Sequence, residues 1–269
     1  MLHYPERIVC LTEETTETLY LLGEQDRIVG ISGFTVRPPE ARREKPRVSA
    51  FTSAKIDKIL ALGPDLVLGF SDIQADIAAE LVRSGVEVHV FNQRAVAGIL
   101  RMIATLGAMI GEADKARRLA EELADNLARI KAQAADLPRR PRVYFEEWDA
   151  PMISGIGWVA ELVRAAGGDD IFPELARESL AKNRILADPA QIIERTPDII
   201  LGSWCGKKFR PEKVAARPGF DAVPAVVNGD LYEIKSSIIL QPGPAALTDG
   251  VAELHRIIAR WANASELHR

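Results

Sequence analysis

Hydrophobic and polar positions along the chain follow two alternating patterns. Short apolar runs recur at 7–11, 27–31, 66–69 and 86–91, and each has the length of a strand that is buried on both faces. Between these runs lie longer stretches in which apolar residues recur every third or fourth position, as on one side of a helix. Strands that alternate with helices and are joined by short turns predict a mostly parallel sheet flanked by helices, the α/β class.

The stretch 112–137 contains neither glycine nor proline and predicts a single long, charged helix. It is bounded by Gly111 and Pro138, and at about 1.5 Å per residue it would span roughly 35 to 40 Å. We interpret it as a connector between two lobes, with an ordinary long surface helix of one domain as the alternative. The apolar residues that form its stripe are Ala116, Leu119, Ala120, Leu123, Leu127 and Ile130.

After this helix the pattern of the first half begins again. ILALGPDLVLGF at 59–70 matches IIERTPDIILGS at 192–203 in residue type and order, although chance similarity of short α/β units is an alternative. The repeat predicts two related lobes rather than one continuous domain. We therefore expect an N-terminal lobe at 1–111, a linking helix at 112–138 and a C-terminal lobe at 139–269.

Composition narrows the class of protein. The chain has 269 residues, is 47% hydrophobic and carries a formal net charge of −4, so it has enough apolar residues for two cores and little attraction for nucleic acid. Cys10 and Cys205 have no CxxC spacing, which argues against a disulfide or zinc site. The N-terminal residues show no signal peptide and no apolar run is long enough for a transmembrane helix. We expect a periplasmic or membrane-anchored extracytoplasmic protein if a leader was removed, and a cytoplasmic one if Met1 is the native start.

Aromatic residues make up only 6% of the chain, yet several of them follow predicted strands. Ligands of open α/β sheets bind beyond the carboxyl ends of the strands, so these rings predict a bulky, flat, partly apolar ligand. The alternative is that the rings only cap the sheets. Arg184 and Lys235 could receive carboxylate or phosphate groups of the ligand. The candidate ligand-binding residues are Phe34, Phe51, Phe70, Ser71, Glu146, Trp148, Arg184, Trp204 and Lys235.

The sequence offers little for catalysis. It lacks GxGxxG after a strand, GxxxxGK[ST], HExxH and GxSxG, and no histidine has a partner at metal-ligand spacing. We therefore expect neither catalytic residues nor an intrinsic cofactor or protein-held metal. A two-lobed enzyme such as a sugar-nucleotide transferase remains an alternative, but it would need a phosphate-cradling glycine turn or a poised acid and base.

Several segments resemble a known family. In the first half these are RIVCLTEETTETLYLLGEQDRIVGIS, RPPEA and KIDKILALGPDLVLGF, and in the second half RVYFEEWDAPMISG, AAGGDDIF, PAQIIERTPDIILGS and VPAVVNGDLYEI. They are similar to the class III substrate-binding proteins of ABC importers, which bind cobalamin, haem and ferric siderophores. The resemblance covers almost the whole chain. It implies two lobes bridged by one long helix, with the ligand held between the lobes.

The resemblance also implies roles for individual residues. Phe34 and Phe70 stand where the cobalamin-binding member has rings that face the corrin, whereas Arg184 departs from its second-lobe aromatic residue. Asp57 occupies the position of an acidic residue that docks onto the transporter. The matching position of the second lobe is Ala190, with Asp188 and Glu194 nearby.

From these observations we expect a non-catalytic protein that captures a metal chelate, foremost a corrinoid such as cobalamin. The expected partner besides the chelate is an ABC-transporter permease, and we expect a monomer that does not bind nucleic acid. The alternatives are a ferric siderophore or ferric citrate, favoured by the basic residues, and a cytoplasmic carrier or sensor of the same fold. Haem ranks lower, with Met152 as a candidate ligand to its iron.

Overall fold

The structure is a computed structural model that describes residues 3–264, and the chain divides into two compact units. The first unit comprises Met1–Gln93, Ala97–Ala124 and Pro242–Pro244. The second unit comprises Arg94–Val96, Asp125–Gln241 and Ala245–Arg269. Each unit contains a sheet flanked by helices, which confirms the predicted fold class.

The sheet of the first unit has five strands in the order β3-β2-β1-β4-β5, and all neighbouring strands are parallel. The two central strands β1 and β4 are buried along their whole length, which explains why both are continuous apolar runs. The strands are β1 (Ile8–Cys10), β2 (Ile28–Ser32), β3 (Arg47–Ser49), β4 (Leu66–Phe70) and β5 (Val88–Phe91).

Helices alternate with these strands. They are α1 (Glu13–Leu21), α2 (Ala41–Glu44), α3 (Ile56–Ala61), α4 (Ala75–Arg83) and α5 (Val96–Met109), of which α5 has all but its first residue in the first unit. One face of the sheet packs Val9 and Val67 against Ile59 of α3 and Leu81 of α4. The apolar stripes read from the sequence therefore lie on the core.

A single long helix, α6 (Ala113–Ala135), confirms the predicted connector. It begins just after Gly111, whose φ of 81° is the left-handed conformation that glycine adopts at low cost. Ala116, Leu123 and Ile130 of its predicted stripe are buried. The boundary between the two units falls within this helix, after Ala124.

The sheet of the second unit runs β11-β10-β6-β7-β9, with β8 paired beside β6. The pairs β6–β8, β6–β10 and β10–β11 are parallel, whereas β7 runs antiparallel to both β6 and β9. The sequence did not reveal this antiparallel edge. The strands are β6 (Arg142–Asp149), β7 (Met152–Ser154), β8 (Asp169–Asp170), β9 (Ile185–Leu186), β10 (Ile199–Gly202) and β11 (Leu231–Glu233).

The helices of the second unit are shorter except for its last one. They are α7 (Gly157–Ala165), α8 (Ala190–Arg195), α9 (Pro211–Ala215), α10 (Pro224–Val227), α11 (Ser236–Ile239) and α12 (Val251–Asn263), the last preceded by a π-helical turn at Ala246–Gly250. A 3₁₀ turn at Phe220–Ala222 precedes α10. Pro224 is the first residue of that helix, where its missing N–H costs nothing.

The internal repeat corresponds to a shared backbone arrangement. The N–H of Arg7 donates to Asp65 Oδ1 at 2.9 Å, and the N–H of Asp65 donates back to Arg7 O at 3.0 Å. In the second unit the N–H of Arg142 donates to Asp198 Oδ2 at 2.8 Å, and the N–H of Asp198 donates back to Arg142 O at 2.8 Å. The aspartate of each Pro-Asp pair thus ties the beginning of one central strand to the next.

Among residues 3–264, no helix combines the length and the apolar character needed to cross a bilayer.

Candidate ligand-binding edges of the two sheets

All five strands of the first sheet end at the same edge because the sheet is entirely parallel. Phe34, which follows β2, has 49% of its surface exposed, and Phe51, which follows β3, is half-buried. Phe70 at the end of β4 is only 4% exposed, and the adjacent Ser71 is also buried. This edge therefore gathers the four residues expected there, but it leaves Phe34 and Phe51 as the accessible rings.

Gln74 ties several strand ends together at this edge. Its Oε1 accepts from the N–H of Phe70 at 2.9 Å, and its Nε2 donates to Leu11 O at 3.3 Å and to Phe51 O at 3.0 Å. Ser71 has φ of 60°, and its Oγ accepts from the N–H of Ile73 at 3.3 Å. Gln74 and Ser71 thus hold the loops that carry the rings. No sequence motif singles out Gln74.

Two buried glutamates open α1 immediately after β1. Glu14 is almost completely buried, and its Oε1 accepts from the hydroxyl of Thr12 at 2.7 Å. Burial raises the pKa of Glu14 to about 8, and the neighbouring Glu13 charge acts in the same direction. Burial likewise raises the pKa of Glu13 to about 7. Both carboxyls therefore titrate near neutral pH in the folded protein.

A segment from late in the chain belongs to this same unit. The Nε2 of Gln93 donates to Pro242 O at 3.0 Å. A Cβ placed on Gly243 would lie 2.5 Å from Glu14 Cβ, so the glycine allows its backbone to pass directly over α1. From the sequence we expected all of 139–269 to belong to the C-terminal lobe. In the structure, Pro242–Pro244 is part of the first compact unit.

Buried polar atoms without a hydrogen-bond partner in the described part of the chain concentrate at strand ends. In the first unit they are Glu13 Oε2, Thr35 Oγ1, Ser49 Oγ and Gln93 Oε1, and in the second unit they include Ser203 Oγ. These residues follow or end β1, β2, β3, β5 and β10. Since buried polar groups are normally paired, these atoms mark strand ends where hydrogen-bonding capacity is left unused within the chain.

In the second unit, Glu146 is fully buried, and each of its two carboxylate oxygens accepts two hydrogen bonds. Arg217 donates to both oxygens, at 2.6 and 2.8 Å. Trp204 Nε1 donates to Oε1 at 3.0 Å and the Tyr144 hydroxyl to Oε2 at 3.0 Å. Burial, with the charge and hydrogen bond of Glu146, holds the pKa of Tyr144 well above its usual value.

These contacts correct the expectation that Glu146 and Trp204 face a ligand. Trp204 is only 3% exposed, and its ring lies edge-on to Phe209 within the core of the second unit. The cause is the buried carboxylate, which needs partners and takes the indole N–H as one of them. Sequence reasoning missed Arg217, because no motif links two residues that are 71 positions apart.

Trp148, near the end of β6, is half-buried and its indole N–H donates to Ala150 O at 2.9 Å. The ammonium of Lys207 lies over the indole, with Nζ 4.0 Å from the ring centroid. Lys207 also forms an ion pair with Asp149. Trp148 is thus an accessible ring of the second unit, and a lysine covers its face.

The cations expected to receive an anionic ligand are engaged within the second unit. Arg184 is 1% exposed, and its Nη1 pairs with Glu147 at 2.5 Å and donates to Ser154 O. Lys235 pairs with Glu233 at 3.2 Å. The buried position of Arg184 differs from the expected accessible one. Arg184 ends a 3₁₀ turn just before β9, which pairs with β7, and its guanidinium donates to Ser154 O at the end of β7.

Among the positions considered for transporter docking, Asp57, Asp188 and Glu194 are exposed in their own units, whereas Ala190 is half-buried. Asp57 lies in the first turn of α3 and is exposed. Ala190 begins α8, and its N–H is capped by the carboxylate of the exposed Asp188 at 2.8 Å. Glu194 is exposed on the same helix. Asp57 and Asp188 therefore both lie near the start of the helix that precedes a Pro-Asp pair.

Within residues 3–264 no three histidine, cysteine, aspartate or glutamate side chains converge on one point. Met152, considered as a ligand to haem iron, is half-buried and packs against the core of the second unit.

Comparison with known proteins defines the class. A family model described as periplasmic binding protein matches residues 8–238, and the chain belongs to that family. The chain is 25% identical to a cobalamin-binding protein of Halobacterium salinarum over 272 residues, a match that covers 97% of this chain and 69% of the relative.

Solved structures show the same fold. The periplasmic vitamin B12 binding protein BtuF of Vibrio cholerae has a TM-score of 0.76 at 21% identity, with 97% of this chain and 99% of that chain covered. The periplasmic haem-binding protein RhuT from Roseiflexus sp. RS-1 has a TM-score of 0.80 at 22% identity, with coverage of 94% and 99%. At these identities the likeness establishes the two-lobed architecture. The family is one of binding proteins, and these relatives are named for binding cobalamin, vitamin B12 and haem.

Proposed function

We propose that this protein is a non-catalytic substrate-binding protein that captures a corrinoid such as cobalamin for uptake by an ABC-type importer. The observation that supports the ligand class is the chemistry of the strand ends. Accessible rings occur there together with buried, unpartnered and uncharged groups such as those of Thr35, Ser49 and Gln93. A corrinoid offers a flat macrocycle for the rings and peripheral amides for the hydrogen-bonding groups.

The electrostatics of the second unit favour this ligand over an anionic chelate. Arg184, Lys207, Arg217 and Lys235 each have a carboxylate partner within the same unit. An anionic chelate bound at Arg184 or Arg217 would have to displace the partner carboxylate, and breaking a buried pair is expensive. A corrinoid with neutral amides needs no free cation.

The accessible rings are the proposed contacts. Phe34 and Phe51 serve in the first unit and Trp148 in the second. Phe70 and Ser71 act as positioning residues, because Gln74 joins the backbone of Phe70 to that of Phe51.

The ligand class is tested by titration. Calorimetry and absorbance spectra of the purified protein are recorded with cyanocobalamin, haemin, ferric citrate and a ferric hydroxamate. Binding heat with cyanocobalamin and weaker or no heat with the other three is the expected result. Binding of haemin or a ferric chelate without binding of cyanocobalamin would reject the corrinoid and retain a binding protein of the same family.

Removal of the rings tests the contacts. Phe34→Ala and Trp148→Ala are each expected to weaken cyanocobalamin binding by about threefold to thirtyfold, the range for loss of one stacked ring. Leu21→Ala is the matched control, since Leu21 is an equally exposed apolar side chain at the far end of α1. Calorimetric titration of the three variants measures the change. Unchanged affinity for both ring variants would contradict the assigned contacts.

The importer and the location outside the cytoplasm are part of the same proposal. They are supported by the resemblance to ABC-importer binding proteins, by the word periplasmic in the names of the two solved relatives, and by the exposed Asp57. Uptake of radiolabelled cobalamin by cells with and without the gene tests the transport role. Recovery of the native gene product in the cytoplasmic fraction would instead favour a carrier or sensor of this fold.

A further inference from the structure

Lys207 lies in the loop that connects β10 to α9. The loop turns at Gly206, whose φ of 77° is a left-handed conformation, and the N–H of Lys207 donates to Trp204 O at 3.3 Å. This turn directs the lysine side chain back across the end of the sheet. Its ammonium reaches the ring of Trp148 and the carboxylate of Asp149.

Two sets of contacts fix this arrangement. The edge of the Trp148 ring is held by its hydrogen bond to Ala150 O at 2.9 Å, so the ring keeps its orientation. Lys207 Nζ lies 4.0 Å from the Trp148 centroid and 5.2 Å from that of Trp204. An ammonium within about 6 Å of an indole centroid is attracted by the negative face of the ring. Lys207 therefore occupies the surface on which a flat ligand would stack.

We propose that Lys207 covers the face of Trp148 in the unliganded protein and is displaced when a flat, uncharged ligand binds, so that this lysine sets the affinity and its dependence on salt. The inference rests on the proposed function, because it takes Trp148 as a contact for a corrinoid. Displacement breaks both the contact with the ring and the ion pair with Asp149. Lys207 thus opposes binding rather than contributing to it.

The change of ligand affinity with salt concentration tests whether Lys207 competes with the ligand for Trp148. The Lys207 side chain is 39% exposed, so dissolved ions screen its attraction to Asp149. Displacement becomes easier as sodium chloride is raised from about 20 mM to about 300 mM, where the screening length falls below about 6 Å. Wild-type affinity for cyanocobalamin is therefore expected to increase over this range.

The decisive variant is Lys207→Met, which keeps an unbranched side chain and removes the charge. Its affinity for cyanocobalamin is expected to be about threefold to tenfold higher than wild type, which corresponds to loss of one exposed cation–π contact and one exposed ion pair. Its salt dependence should be flat. Lys208→Met is the matched control, because Lys208 is the adjacent exposed lysine outside these contacts, and it should behave as wild type. Unchanged or weaker binding by Lys207→Met would overturn the proposal.

A measurement without ligand separates this proposal from the proposed function. Lys207→Met should make tryptophan fluorescence more accessible to the neutral quencher acrylamide, and the increase should disappear in the double variant Lys207→Met/Trp148→Phe. No increase would show that Lys207 does not cover Trp148, whatever ligand the protein binds. Suppose that Lys207→Met increases the quenching as expected but wild-type protein gives no binding heat with cyanocobalamin. That result would reject the corrinoid and the displacement step, and it would leave the contact between Lys207 and Trp148 in place.

Discussion

At the scale of single residues, Glu146 shows how one buried charge organises its surroundings. A fully buried carboxylate is unfavourable unless its oxygens are paired, and here Arg217, Trp204 and Tyr144 supply all the donors. Its predicted place just after a strand suggested a ligand contact, but it lies within β6 and its partners show a structural role. The sequence shows which residues follow a strand but does not show which of them find a partner far away in the chain.

The pairing of Glu146 predicts a large cost for removing Arg217. Arg217→Met leaves the buried carboxylate without its cation and is expected to lower the free energy of unfolding by about 3 to 5 kcal/mol. Adding Glu146→Gln should recover part of the loss, since the double variant no longer buries an unpaired charge. Urea unfolding followed by circular dichroism measures both effects.

The control for this prediction is an exposed pair in the same unit. Arg210→Met breaks the exposed contact with Glu212 and should cost at most about 1 kcal/mol. Equal losses for Arg210→Met and Arg217→Met would contradict the assigned role of the buried pair.

At the scale of elements, helices and strands with a strong hydrophobic pattern could be predicted from the sequence, and those with a weak pattern could not. The long helix α6 and the strand β4 lie where the pattern placed them, because the apolar stripe of α6 and the uninterrupted apolar run of β4 are unambiguous. The strands β7 and β9 were missed, since strands of three and two residues carry too few positions to show alternation. The π-helical turn before α12 has no sequence signature that we recognise.

The repeated Pro-Asp pair predicts equivalent stabilisation in the two units. Asp65 accepts from the N–H groups of Glu6 and Arg7 at 2.8 and 2.9 Å, and Asp198 accepts from the N–H of Arg142 and from its guanidinium. Asp65→Ala and Asp198→Ala should each lower the free energy of unfolding by about 1 to 3 kcal/mol, because each removes hydrogen bonds to a charged acceptor.

Thermal and urea unfolding of the two variants measure this stabilisation. Asp57→Ala serves as the control, because Asp57 is exposed in the first turn of α3 and its loss should cost only a few tenths of a kcal/mol. If Asp65→Ala and Asp198→Ala were as stable as Asp57→Ala, the hydrogen bonds of the two Pro-Asp aspartates would not stabilise the fold.

At the scale of the whole molecule, the sequence predicted the two-lobed architecture but not every residue of each lobe. The internal repeat and the long helix were sufficient for the architecture, because both extend over many positions. The grouping of Pro242–Pro244 with the first unit was not predictable, since it depends on Gly243 passing over Glu14. Phe34 follows β2 and Trp148 lies near the end of β6, and both rings stay accessible there, whereas the burial of Arg184 and Trp204 required the packing itself.

The buried glutamates of α1 predict how the stability of the whole protein changes with pH. Glu14 has a folded pKa of about 8 against an ordinary value of 4.5, so it holds its proton in the folded state after the unfolded chain has lost it. This contribution to stability is fully present below the unfolded pKa and is lost as pH rises through the folded one. Glu14→Gln should therefore match wild type near pH 4.5 and be more stable near pH 8, as measured by urea unfolding across that range. Glu122→Gln, on the exposed face of α6, should change neither curve, and parallel curves for Glu14→Gln and wild type would show that Glu14 is ionised in the folded protein.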